Sequence, residues 1–413
     1  MKEKVFFKTF GCRSNIYDTQ IMIASLKDYT LAKSESESDI IVINSCTVTN
    51  GADKGVKEYI SKVKKLNKKI IFTGCGIEGL GRESYDKNNV FGVFGHSKKQ
   101  DISNLLDLKK RFYFSDNLAH IDSTIIKKFV GKSRAFIKIQ EGCDFDCSYC
   151  IIPQVRGKAR SVKRKHIIEQ VKVLADSNIS EIVLSGTNMG SYGKDSNDTL
   201  PKLILDIAKI DGIKRIRLGS LEPSQIKEDF LEILDSSFLA KHLHIALQYT
   251  QDSILEIMNR KNNFESDLEL FNKIAKKGFA LGTDFIVGHP GENEEIFNTA
   301  LNNLSLLPLT HIHAFIYSPR NKTLSSKMKL DIKKEIAKER LKKVKNLVDS
   351  KNLAFRETKK SLEVLVESKK ENFFYGLDQF FNKIKIKSDK NLSHKWLSIK
   401  NYEVKEVLNY AEI

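Results

Sequence analysis

Three short apolar segments near the start of this chain each run directly into a cysteine. Residues 4–10 lead to Gly11 and Cys12, residues 39–44 to Ser45 and Cys46, and residues 69–73 to Gly74 and Cys75. Helix-like stretches at about 17–26 and 54–66 separate them, and residues 90–94 read as a fourth strand. Short apolar strands alternating with helices predict a parallel α/β sheet. Ligands of such sheets gather outside the carboxyl ends of the strands. Cys12, Cys46 and Cys75 are therefore expected to converge on one edge. One strand-end cysteine is ordinarily a small buried hydrophobe. Three at equivalent positions predict a shared metal cluster.

The remaining three of the six cysteines form one tight motif, Cys143-x3-Cys147-x2-Cys150, directly after a strand at 135–140. Thiolates are natural ligands of iron–sulfur clusters, which take four of them. Each trio is one ligand short, so each leaves a metal position open, as three-ligand zinc sites do for water. A zinc knuckle would need a fourth Cys or His at a regular offset. None lies nearby, and His166 falls well along a helix-like stretch. Disulfides belong to small secreted chains, and this chain has 413 residues.

Formal net charge is +17, from 69 Lys+Arg against 52 Asp+Glu. A polyanionic partner and a lysine-rich background are equally compatible with that excess. The charge is more telling locally. Arg156, Lys158, Arg160, Lys163, Arg164 and Lys165 give six basic residues in ten, with no acid. Such a run can neutralise phosphates, or it can be a solvated run leading a helix. Arg156 and Arg160 could instead grip a carboxylate. No segment reaches the ~18 apolar residues of a membrane span, and residues 1–12 lack an apolar signal core. A cytoplasmic, monomeric protein with no membrane association is expected.

Strand-like segments recur at 135–140, 181–186, 215–220, 243–247, 281–288 and 311–317, with helix-like stretches between them. Six βα units predict a partial (β/α)6 barrel whose site lies at the carboxyl ends of its strands. Candidate rim residues are Ser185, Gly186, Thr187, Asn188, Ser220, Glu222, Gln248 and Gly288. Any of them could equally be a cap or turn residue. Residues 333–356 read as a long basic amphipathic helix. Residues beyond it read as short strands and turns. The expected class is α/β, with an N-terminal parallel domain at 1–120, the barrel at 130–355 and a small β-barrel domain at 356–413. Residues 97–132 read as a polar connection between the first two.

The cysteine loop after a first barrel strand resembles the radical S-adenosylmethionine (SAM) superfamily. TFGCRSNIYDTQ, VINSCTVTN and FTGCG resemble the N-terminal domain of the methylthiotransferases. EGCDFDCSYCIIPQVRGKARS, EIVLSGTNMGSYGKD, RIRLGSLEP, IMNRK, TDFIVGHPGE and YSPRNKT continue the resemblance, and the C-terminal region is similar in place and size to their TRAM domain. The resemblance implies two 4Fe–4S clusters, an auxiliary one on Cys12, Cys46 and Cys75 and a SAM-binding one on Cys143, Cys147 and Cys150. It implies that one SAM methylates a sulfur at the auxiliary cluster. A second SAM is cleaved, with one electron from a flavodoxin- or ferredoxin-like protein, to a radical that abstracts hydrogen from the target carbon. It places Tyr149 near the SAM adenine, although loop packing would use a tyrosine equally well. RGKARS is most similar to the branch acting on N6-threonylcarbamoyladenosine beside the tRNA anticodon. The alternatives are the branches acting on N6-isopentenyladenosine and on a ribosomal-protein aspartate. One departure stands out: the family's Pro-Leu-Gln-Ser-Gly-Ser pattern here reads Ala246-Leu247-Gln248-Tyr249-Thr250-Gln251. Tyr249 and Thr250 are expected to stiffen that loop and crowd the SAM pocket.

Overall fold

The computed structural model describes residues 2–131 and 133–413. Its N-terminal sheet is wholly parallel. The central strands are Lys4–Thr9, Ile40–Ser45 and Lys69–Gly74, in that spatial order. Thr30–Leu31 forms the outer edge beside the first strand, and Gly92–Phe94 and Phe112–Phe114 complete the other side. The chain reverses its direction of sheet growth after the first strand, which creates a switch point between Lys4–Thr9 and Ile40–Ser45. The polar connection at 97–132 contains more structure than its sequence suggested, namely the helix Ile102–Asp107 and the edge strand Phe112–Phe114.

The six barrel strands are Ala135–Glu141, Glu181–Gly186, Arg215–Leu218 (resuming as Ser220–Leu221), His242–Ile245, Ala280–Val287 and Leu309–Ile316. Neighbours pair in parallel in chain order, with a break at Gly219. Alternate residues divide cleanly. Ile137, Ile182, Leu184, Ile216, Leu243, Ile245 and Phe285 join the apolar core under the surrounding helices. Their neighbours Lys138, Glu181, Arg215, Arg217, His242, His244, Asp284, His311 and His313 occupy the opposite face and line a polar lumen. The helix Lys334–Glu357 packs on the last strand and leads into a six-stranded C-terminal sheet. The outer strands of that sheet, Trp396–Ile399 and Glu403–Val404, are joined by a three-residue link, so the sheet must curl.

At the base of the lumen one carboxylate serves three guanidiniums. Glu181 meets Arg134 at 3.1 Å and Arg217 at 2.9 Å, and also pairs with Arg215. Burial would push Glu181 up, but Arg217, Arg215 and Arg134 overcome it and hold its pKa at about 2. Burial lowers Arg134 and Arg215 to about 10. A depressed carboxylate stabilises the fold above its unfolded pKa of about 4.3, and that contribution is lost as pH falls toward 2. Glu181→Gln is therefore expected to cost about 3–5 kcal/mol at neutral pH. Urea midpoints measured against pH should converge for variant and parent in acid. A constant gap down to pH 2 would contradict this account.

Candidate metal centres at the domain junction

The strand registers bring the first three cysteines together. Thr9 lies opposite Asn44, Asn44 opposite Thr73, and Ser45 opposite Gly74, so Cys12, Cys46 and Cys75 leave three adjacent strand ends at the switch point. Gly11 and Gly74 turn the chain there with φ of +93° and +100°. A Cβ on Gly11 would sit 2.7 Å from the Cys46 Cβ, so only glycine lets the first and second cysteines approach this closely. Asn15 fastens the ends by donating to Phe10 O at 2.7 Å and Ser45 O at 2.9 Å. Arg320, in the loop beyond the last barrel strand, donates to Asp53 and Thr47 at 2.8 and 2.7 Å and so locks the loop after Cys46 onto the barrel.

The second trio is clamped from several elements. Ser148 N donates to Met258 O at 3.0 Å, Ser148 Oγ to Ile257 O at 2.8 Å, and Ser325 N to Ser148 O at 2.8 Å. Arg260 lies 3.8 Å from Cys147 Sγ while pairing with Glu222 at 2.6 Å. Asn188 reaches Cys143 Sγ at 3.6 Å, its backbone N–H bound by Gln140 Oε1 at 2.8 Å.

One short segment joins the two trios. Cys143 N donates to Gly157 O at 3.0 Å, and the side chain of the preceding Arg156 places its Nε 3.3 Å from Cys75 Sγ. Both trios thus border the same junction. All six cysteines are free thiols. Burial pushes Cys75 up to about 11, against the pull of Arg156, and pushes Cys150 up to about 12. A surface hollow of about 510 Å³ beside Ile168 and Asp206 is open and carries no cysteine.

A sequence model of the radical SAM superfamily matches residues 137–304, and one of an uncharacterized protein family, UPF0004, matches residues 4–95. A Helicobacter pylori protein whose name assigns it to the methylthiotransferases is 55% identical over 99% of both chains. This chain belongs to the radical SAM methylthiotransferase family. Threonylcarbamoyladenosine tRNA methylthiotransferase MtaB of Aquifex aeolicus is 34% identical, covering 87% of this chain and 92% of that one. The tRNA-2-methylthio-N(6)-dimethylallyladenosine synthase of Thermosipho africanus is also 34% identical, over 96% of both. In fold, the radical SAM methyltransferase TsrM of Kitasatospora setae superposes with a TM-score of 0.59 over 77% of both chains at 13% identity.

A methylthiotransferase is a transferase, and the superfamily uses SAM and a 4Fe–4S cluster. The donor set of this chain fits. Three unpaired, partly buried thiols sit in one clamped loop, and metal binding would displace the protons that burial retains on Cys143 and Cys150.

Several sequence expectations change in the light of this geometry. Arg156, expected on substrate or RNA, is only 2% exposed. It pairs with Asp18 at 3.0 Å and with Glu141 inside a buried network that also holds Lys99, Lys138 and Asp122. Its place was not legible because Asp18 comes from the other domain. Arg160 is turned inward onto His120 O and Arg156 O, both at 2.7 Å. Arg164 is held by Asp198 at 2.6 Å and by Asp206. Lys158, Lys163 and Lys165 remain exposed. Tyr149 packs edge-on to His289 at 6.3 Å.

Glu222 is buried against Arg260, and Ser185 is buried with its hydroxyl 3.3 Å from Ile137 O. Gly186 lies against Gln140, Thr187 is half-buried and Ser220 is exposed at the break in the third strand. Gln248 adopts φ 72°, and Gly288 donates its N–H to Glu292 at 3.0 Å. Tyr249 does not crowd the rim. It is fully buried and stacks on Phe285 at 4.9 Å, while Thr250 donates to Ala300 O at 2.7 Å. The apolar side of the barrel wall accommodates the bulk that the loop could not.

Sequence reading missed the histidine-rich lumen, although the alternation in RIRL, HLHI and THIHAF carried the signal. Asp284 lies 3.1 Å from His244 and 3.6 Å from His313. It also missed Arg13 and Phe381. Their cation–π distance of 5.6 Å brings the N-terminal and C-terminal domains together across the barrel.

Proposed function

We propose that this enzyme adds a methylthio group to C2 of N6-threonylcarbamoyladenosine beside the anticodon of tRNA. In this reading Cys12, Cys46 and Cys75 hold an auxiliary 4Fe–4S cluster, and Cys143, Cys147 and Cys150 hold the SAM cluster. Bound, the clusters and SAM supply sulfur, a methyl group and the hydrogen-abstracting radical. The chain itself supplies the clamps on both cysteine sets and the Arg156 link between them. Asn188, Glu222, Gln248 and Gly288 contribute the rim facing SAM. Exposed Lys158, Lys163 and Lys165 meet RNA phosphates, and such contacts make affinity fall with salt. A flavodoxin- or ferredoxin-like protein delivers the electron, and the enzyme works as a cytoplasmic monomer.

The observation that carries the choice of base is the lumen wall. Arg217, His242, His244, His311 and His313 are polar groups suited to a hydrophilic, carboxylate-bearing N6 substituent, and Asp284 is occupied by His244 and His313. An isopentenyl group would cover them without offering a hydrogen bond, which costs free energy. Relatives named for either base are equally similar to this chain, so identity does not choose between them. Nucleoside mass spectrometry of total tRNA from a deletion strain is expected to show unmethylthiolated threonylcarbamoyladenosine, restored by the gene. Loss of the methylthio group from isopentenyladenosine instead, or from a ribosomal-protein aspartate, would refute the assignment.

A further inference from the structure

Three domains meet at one aromatic ring. Phe381 sits in the turn after the strand Phe373–Leu377, at φ 71°, a conformation uncommon for a bulky residue. Asp378 builds that turn, its carboxylate accepting from Phe380 N at 2.9 Å and Asn382 N at 2.8 Å. The ring stacks on His242 at 4.8 Å. Two guanidiniums approach it as well, Arg13 at 5.6 Å and Arg217 at 5.7 Å.

These two arginines are short of anions: Arg217 has only a share of Glu181, and Arg13 has none among the described residues. Arg217 is 4% exposed. Its Nε meets Glu181 at 2.9 Å and its Nη2 meets Asp378 O at 2.6 Å, while its buried Nη1 has no acceptor among the described residues. Glu181 is already shared with two other arginines. Arg13 is half-buried, its guanidinium faces the Phe381 ring, and it has neither an ion pair nor a hydrogen-bond acceptor among the described residues. Leaving a buried donor unpaired is costly, and grouping like charges adds to the cost. An anion binding between the two side chains would relieve both costs.

We propose that Arg13 and Arg217, with Phe381 as a wall, form the pocket for the carboxylate of the threonylcarbamoyl group. This rests on the base assignment above. Arg13 directly follows Cys12, so the pocket adjoins the cysteine trio to which the target carbon must come. The N6 substituent spans only a few bonds beyond the purine, which matches that proximity. A backbone phosphate, flanked by two riboses, requires open surface, whereas Arg217 lies inside the junction. Arginine suits the task because its planar fork binds carboxylates through two hydrogen bonds.

The test measures fluorescence anisotropy with reconstituted full-length protein and labelled anticodon stem-loops. The stem-loops carry threonylcarbamoyladenosine, isopentenyladenosine or plain adenosine. Wild type should prefer the first. Arg13→Gln, with wild-type iron content, should lose about 10- to 100-fold in affinity for that RNA alone, and Arg13→Lys should recover part of it. Unchanged affinity for the threonylcarbamoyl RNA in Arg13→Gln overturns the pocket. So does an equal loss on all three RNAs, which would mark a phosphate contact. If wild type itself prefers isopentenyladenosine, the base assignment falls first, and that outcome is visible before any variant is compared.

Discussion

Replacing Cys147 by alanine is expected to abolish methylthiolation and to cut the iron of anaerobically reconstituted protein from about eight atoms per chain to about four. The loop explains the size of the effect. Cys143, Cys147 and Cys150 are the only cysteines in the barrel, and the loop is fixed by Ser148, Ser325 and Asn188, so no other thiol can move in as a replacement. Arg260, 3.8 Å from Cys147 Sγ, is retained by Glu222, so the fold should survive. Iron analysis and nucleoside analysis read the two consequences separately. A Cys147→Ala protein that still restored the modification in cells would mean that the loop is structural. The same replacement at Cys75 should remove the other half of the iron. Parent protein holding fewer than about five iron atoms would rule out two four-iron clusters.

Replacing Arg156 by methionine is expected to cost about 3–5 kcal/mol of stability. Methionine fills much of the space but leaves Asp18 and Glu141 short of a cation in a site closed to water. It also removes the donor at 3.3 Å from Cys75 Sγ, so the variant should lose auxiliary iron faster under chelator than the parent. Denaturant midpoints and iron release under a chelator measure these effects. The slope of RNA affinity against salt should stay unchanged, because a buried guanidinium releases no counter-ion from RNA. A stable variant with full iron and a shallower salt slope would return Arg156 to the RNA surface.

The run at 156–165 looks uniform in sequence, yet it splits into a buried Arg156, two arginines held by protein acceptors and three exposed lysines. Sequence spacing places a charge on an element, whereas burial depends on what packs opposite. Here the opposing group is Asp18, on the helix Arg13–Ala24, 138 residues away in sequence. That helix buries Asn15, Asp18, Thr19 and Gln20 because it is enclosed between its own sheet and the first barrel strand. Its sequence carries no simple apolar stripe from which this could be read. The edge strands Thr30–Leu31 and Phe112–Phe114 escaped notice for a simpler reason: two or three residues are too few to show a period.

From the sequence alone came the α/β class, the six barrel strands, the strand-end cysteines and the three-cysteine loop. These depend on residue order along a single segment, where apolar period and ligand spacing are local properties. Only the tertiary structure decided that both cysteine sets border one junction, that Arg156 joins them, that the barrel has a charged interior and that Arg13, Arg217 and Phe381 meet. Those facts come from contacts between distant segments, and the free energy of a buried charge is fixed by its partners across space.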